Sequence, residues 1–175
     1  MNSKILSSFI CDPQQISSLT KQWIHKASYQ NRDVYINPLD KEEWEKIRFW
    51  SEMKEEEYTL LENTYNISMD DLILLAVSEK TEEIIICACN ELLRRENEMG
   101  KEFRERLIKK LEELTAVTND KAELQRAKLI IYETELFDAT NKKTILNKDF
   151  QQVNREASFY KDISERAKKI LNQLI

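Results

Sequence analysis

The chain has 175 residues, 41% hydrophobic and 34% charged, with 27 basic and 32 acidic side chains and a formal net charge of −5. One glycine excludes the Walker phosphate loop and the dinucleotide-binding glycine pattern, and one histidine excludes two-histidine zinc sites and di-iron bundles within a single chain. Three tryptophans, six tyrosines and six phenylalanines supply enough bulky apolar surface for a packed core, which excludes a disordered chain.

Glycine scarcity also sets the expected fold. Tight turns recruit glycine and strand-rich folds need many of them, so the sequence predicts an all-α, single-domain bundle of about five to seven helices over residues 1–175.

Ile5, Leu6, Phe9 and Ile10 read as a short helix or an apolar arm within 1–11, too short and too polar for a secretory leader. Asp12-Pro13 is an N-cap followed by proline at the first helical position. Ile16, Leu19, Trp23 and Ala27 then recur at spacings of three or four and predict a helix running to Tyr29, with His25 as a surface or boundary residue. Asn31 to Pro38 breaks that period, and Val34-Tyr35-Ile36 is extended by propensity.

Asp40 and Glu43 have the spacing of a capping box, with Leu39 placed to pack on Trp44 as a hydrophobic staple. Ile47, Trp50, Met53, Tyr58 and Leu61 extend that predicted helix to Tyr65. It carries the densest acidic run, Glu52 with Glu55, Glu56 and Glu57, which reads as a solvated helix side or as a patch imitating phosphates. Ser68 and Asp71 repeat the capping pattern before the apolar run Leu72 to Val77, and Thr81 opens a further helix.

That helix is expected to continue or merely kink at Gly100, giving one rod from 82 to 117, because Phe103, Leu107, Leu111 and Leu114 resume the apolar face at once. Thr118-Asn119-Asp120 is a turn and cap, followed by a helix led by Leu124, Ala127 and Ile131. Asp138 to Asn141 is turn-like. From Asn147, Phe150, Val153, Ala157, Tyr160, Ser164, Ala167, Leu171 and Leu174 fall at alternating spacings of three and four. This a/d seam over 147–175 suits packing inside a bundle or a coiled coil used for association.

Charge is uneven along the chain: residues 51–100 carry four basic and thirteen acidic side chains. Cys11, Cys87 and Cys89 are an odd set, and Cys87 and Cys89 point to nearly opposite sides of a helix, so they share neither a metal nor a disulfide. Free cysteines and the lack of a long apolar run predict a reducing, cytoplasmic setting with no membrane span.

Catalytic signals are sparse. A Ser-His-Asp or Cys-His site would have to use His25. Glu42-Glu43, Glu82-Glu83 and Glu112-Glu113 lack a third carboxylate three residues on, and Glu135-x-x-Asp138 alone matches half of a magnesium site. Lys109-Lys110, Lys142-Lys143 and Lys168-Lys169 lie among equal numbers of acids without interleaved aromatics, a weak basis for direct nucleic-acid binding. No residue pattern identifies a family.

The sequence therefore predicts a non-enzymatic protein–protein interaction module, a helical accessory or adaptor subunit, with a protein partner and no cofactor or metal. Its candidate surface is the seam Phe150, Val153, Ala157, Tyr160, Ala167, Leu171 and Leu174 or the aromatic N-terminal half, and the acidic patch Glu52, Glu55, Glu56 and Glu57 is the surface of the first alternative. The alternatives are a small acidic regulator (an immunity protein, antitoxin or inhibitor of a nucleic-acid enzyme) and, last, a metal-dependent helical hydrolase.

Overall fold

The computed structural model describes residues 7–63, 66–100, 102–118, 120–141 and 148–173. Among them the order is β1 (Phe9–Ile10), α1 (Pro13–Thr20), β2 (Ile24–Ser28), β3 (Arg32–Ile36), β4 (Glu43–Ser51), β5 (Glu56–Glu62), α2 (Met69–Ser78), α3 (Glu82–Met99), α4 (Arg104–Val117), α5 (Lys121–Glu133) and α6 (Phe150–Asn172). The fold is α+β, and the expectation of an all-α helical bundle is overturned by a five-stranded antiparallel sheet. Contacts group the chain into two compact units, residues 1–91 and 92–175.

In the first unit the strands lie in the order β1-β5-β4-β3-β2, a four-stranded meander with the N-terminal strand added beside β5. Asp12 caps α1 as the sequence predicts, accepting a hydrogen bond from Gln15 N at 2.6 Å. The helix stops at Thr20 rather than Tyr29, because Gln22 N and Trp23 N both turn back to the Leu19 carbonyl. His25 and Ala27 consequently lie on β2, at the sheet edge. The extended reading of Val34 to Ile36 is realised in β3. The apolar-arm segment is described only from Ser7 onward, where Phe9 and Ile10 pair with Glu62 and Leu61.

The predicted helix from Asp40 to Tyr65 is instead the β4–β5 hairpin, Tyr65 lying outside the described residues. Its helix-like spacing has a physical origin. Alternate residues of a strand face opposite sides, so Trp44 and Ile47, three apart, serve different faces. Trp44 packs with Ile10, Ile16 and Leu61, with Leu19 and Trp23 against them. Ile47 lies opposite Leu60, and both are buried. Burial on both faces therefore produces an apolar period of three without a helix.

The turns manage without glycine. Lys41 and Glu55 adopt positive φ values of 65° and 55° at the β3–β4 and β4–β5 turns. Asp40 does not cap a helix: its carboxylate accepts from Glu42 N at 2.8 Å and from the Asn37 side-chain amide at 2.7 Å, fastening the β3–β4 turn. Leu39 is 92% exposed, so no hydrophobic staple forms. Downstream, the Ser68–Asp71 capping box is present and opens α2, whose Leu72, Leu75 and Ala76 are fully buried.

The expected continuous rod from 82 to 117 is also corrected. α3 ends at Met99 and Gly100 takes φ 64°, a left-handed helix stop, before α4 begins at Arg104. In the second unit α6 packs chiefly on α4, while α5 touches both. The Asp120 cap of α5 is formed as expected. α6 begins at Phe150, capped by Asp149 and Gln152, three residues beyond Asn147, which lies outside the described residues.

Candidate interaction hairpin

Both candidate surfaces read from the sequence can be placed. Along α6, Tyr160, Ile163, Ser164, Ala167 and Ile170 are buried, and the Ser164 hydroxyl donates to the Phe137 carbonyl at 2.7 Å. This stretch of the seam is closed within the chain. Towards the N-terminal end Phe150 is 78% exposed, Val153 is half-buried and Ala157 is exposed. Leu171 is half-buried, and Leu174 lies outside the described residues.

The acidic patch occupies the tip of the β4–β5 hairpin rather than a helix side. Glu52, Glu55, Glu56 and Glu57 are all exposed. Trp50 and Met53, 55% and 40% exposed, lie on the same hairpin, with Trp50 directly across from Glu57. The tip is firmly built. Ser51 is fully buried; its hydroxyl accepts from Lys54 N at 3.2 Å and its carbonyl from Glu55 N at 2.9 Å. On the opposite face Phe49 stacks on Tyr58 with ring centres 6.0 Å apart, and the Tyr58 hydroxyl donates to Glu56 at 2.5 Å. Lys54 Nζ reaches Glu82 on α3, an ion pair that anchors the turn to the first unit.

A fixed turn carrying a large exposed indole and several carboxylates has a clear chemical meaning. The indole supplies contact area at little entropic cost, and the surrounding charges favour a basic partner surface. The sequence disclosed the carboxylates but not their conjunction with Trp50 and Met53. The spacing Ile47, Trp50, Met53 imitates one face of a helix and hides their exposure.

The structure also assembles a group that the sequence separated. His25 Nε2 is 3.0 Å from the Ser28 hydroxyl, which lies 2.7 Å from Asp33 Oδ1. Arg48 Nη2 approaches the same carboxylate at 3.7 Å. The serine proton is committed to Asp33, since an ionised carboxylate only accepts, so His25 must donate to the hydroxyl. A nucleophilic triad needs histidine as base between serine and carboxylate. Here serine stands between the other two, and its oxygen is not activated. Beside this group Tyr35 packs edge-on to His25 at 5.3 Å. Burial, then the Asp33 carboxylate, raises the phenol above its ordinary value, against the opposing Arg48 charge.

Glu135 and Asp138, the carboxylates that match half of a magnesium site, are engaged separately. Glu135 engages Arg104 through its backbone carbonyl, and Asp138 accepts from Thr140 N at 2.8 Å. Among the described residues no group of three or more His, Cys, Asp or Glu has metal-binding geometry. No helix is long and apolar enough to cross a membrane, again among the described residues. No family model, curated protein or solved structure matches this chain.

Proposed function

We propose that this protein is a non-enzymatic interaction module, an accessory or adaptor subunit that docks a basic protein surface through the β4–β5 hairpin. The supporting observation is the exposure of Trp50 and Met53 on the hairpin that also exposes Glu52, Glu55, Glu56 and Glu57, with Glu57 directly across from Trp50 and the turn fixed by buried Ser51. A buried indole anchor ringed by polar contacts is the usual energetic centre of a protein interface. Direct nucleic-acid binding is disfavoured here, because phosphates would meet carboxylates. Three buried free thiols support a reducing, cytoplasmic setting.

The second reading is an acidic regulator of a nucleic-acid enzyme, favoured by the joint exposure of the four carboxylates. The two readings differ in which side chains carry the affinity. Affinity capture from the native cell with the full chain, followed by mass spectrometry, identifies the partner. Binding is then measured for Trp50→Ala and for the fourfold Glu→Gln variant at low and high salt. The adaptor reading expects Trp50→Ala to weaken binding at least about tenfold. The regulator reading expects the charge variant to abolish binding, with a steep salt dependence and little effect of Trp50. A partner retained equally by both variants rules out the hairpin as the docking element.

A further inference from the structure

An open cleft of about 450 Å³ lies in the first unit between the β1–α1 junction and the start of α3. Small-molecule sites commonly occupy about 300–1,000 Å³. Phe9, Ile10 and Cys11 line the cleft and are buried, at 2%, 9% and 7% exposure. Asp12 from the junction and Glu83 from α3 also line it and are exposed. The cleft therefore has an apolar floor and an acidic mouth. Its walls are fixed in advance. Phe9 and Ile10 pair with Glu62 and Leu61 of β5. Asp12 Oδ1 accepts from Gln15 N at 2.6 Å, and the Thr81 carbonyl accepts from Ile84 N at 3.1 Å and Ile85 N at 3.2 Å. A ligand entering such a cleft is spared the cost of ordering it.

We propose that this cleft binds an organic ammonium ion, an apolar body carrying one protonated primary amine. The body packs over Phe9, Ile10 and Cys11, and the ammonium group stays at the mouth in the field of Asp12 and Glu83. The charge of the lining selects that class. It contains two carboxylates and no lysine, arginine or histidine. Among the described residues neither Asp12 nor Glu83 is ion-paired, whereas Glu82 beside it is taken by Lys54.

Other ligand classes fit less well. A phosphate or carboxylate meets no cation in this lining. The starts of α1 and α3 each carry about half a positive charge, which the full charges of Asp12 and Glu83 outweigh. A bare metal ion gains nothing from an apolar floor, since hard cations need several oxygen ligands. Exposed ion pairs are individually weak, so burial of the apolar body supplies most of the affinity and the carboxylates supply the preference for charge. The cleft shares no residue with the β4–β5 hairpin, so the two surfaces can be tested independently.

The test titrates the full chain, labelled with nitrogen-15, at pH 7 with three probes of similar shape. These are 2-phenylethylammonium, neutral 2-phenylethanol and anionic 3-phenylpropanoate. The ammonium probe should saturate and move the amide signals of Phe9 to Asp12, Gln15 and Thr81 to Ile84. The alcohol should bind about threefold to tenfold more weakly, and the propanoate more weakly still. Added salt should weaken the ammonium probe and leave the alcohol unchanged. Glu83→Gln, and Asp12→Asn, which retains a capping side chain, should each bring the ammonium affinity down towards that of the alcohol. The comparison of probes on the unsubstituted chain needs no variant to fold. Equal binding of all three probes, shifts confined to residues outside the cleft, unchanged affinity in both variants, or no saturation in the millimolar range would overturn the proposal.

Discussion

Arg104 and Glu96 form a buried ion pair in the second unit. Arg104 Nε lies 2.9 Å from Glu96 Oε2, and Nη2 lies 2.9 Å from the same oxygen. Nη1 donates to the Glu135 carbonyl at 3.1 Å, and the guanidinium carbon sits 4.9 Å from the Tyr160 ring centre. Glu135 holds a φ of 52°, a left-handed conformation in the turn that presents its carbonyl to Arg104. Arg104 thus ties α3, the turn after α5 and α6 to its own helix.

Arg104→Met should cost about 3–5 kcal/mol in urea unfolding, because Glu96 is left as an uncompensated buried charge. Removing both charges with Arg104→Met and Glu96→Leu should recover much of that loss. A single-variant cost under about 1 kcal/mol would mean that the pair contributes no more than a surface contact.

Two carboxyls of this unit should give opposite pH responses. Burial, together with the charge and hydrogen bond of neighbouring Glu102, raises the Glu96 carboxyl above its ordinary value of 4.5, against the Arg104 bond and charge that lower it. The folded state then holds this proton more tightly than the unfolded state, so Glu96 costs stability above its raised value and regains it as pH falls towards 4.5. Glu112 behaves the other way. Its bond to Arg166, at 2.7 Å, lowers its carboxyl below 4.5. The stability it contributes is present above 4.5 and is lost as pH falls through the depressed value. Urea midpoints measured against pH should steepen their acid loss in Glu96→Gln and flatten it in Arg166→Ala. At neutral pH the Arg166 variant should lose no more than about 1 kcal/mol, since the pair is solvent-screened.

Gly100 isolates a backbone effect. A Cβ placed there meets nothing within 4 Å, yet φ is +64°. Gly100→Ala should therefore cost about 1 kcal/mol through conformation alone, and Gly100→Asn less, since asparagine tolerates the left-handed region. Equal stability of all three proteins would show that α3 can end without that conformation.

The seam along α6 should divide energetically where its burial divides. Tyr160 is 1% exposed and Phe150 78%. Tyr160→Ala should cost about 3–5 kcal/mol, and Phe150→Ser should stay within about 0.5 kcal/mol of the parent. Thermal unfolding of the two variants decides it. A large loss at Phe150 would place that ring in a packed environment in solution.

Local chemistry was legible in the sequence wherever a side chain satisfied a neighbouring backbone group. Asp12, Ser68 with Asp71, and Asp120 cap helices where their spacing predicts. The sheet was hidden for two physical reasons. Trp44 and Ile47 are buried on opposite faces and so imitate helical periodicity, while Lys41 and Glu55 supply the left-handed turns usually given to glycine. Asp40 followed three residues later by Glu43 has the pattern of a capping box, but Asp40 serves the β3–β4 turn. The acidic patch was legible as composition. Its apolar companions Trp50 and Met53 were not, because exposure of an aromatic on a hairpin depends on strand pairing, a long-range property.

Pairing of β1 with β5 sets an order of assembly. β2 to β5 are joined by short turns and can zip together from local encounters, whereas Phe9 must find Glu62 across roughly fifty intervening residues. During synthesis the N-terminal strand leaves the ribosome first yet has no partner until β5 has emerged. Once β5 has emerged and until β1 docks on it, the Leu61–Glu62 edge is an open row of amides and carbonyls beside apolar side chains, the stage at which a nascent copy is most exposed to strand exchange with another.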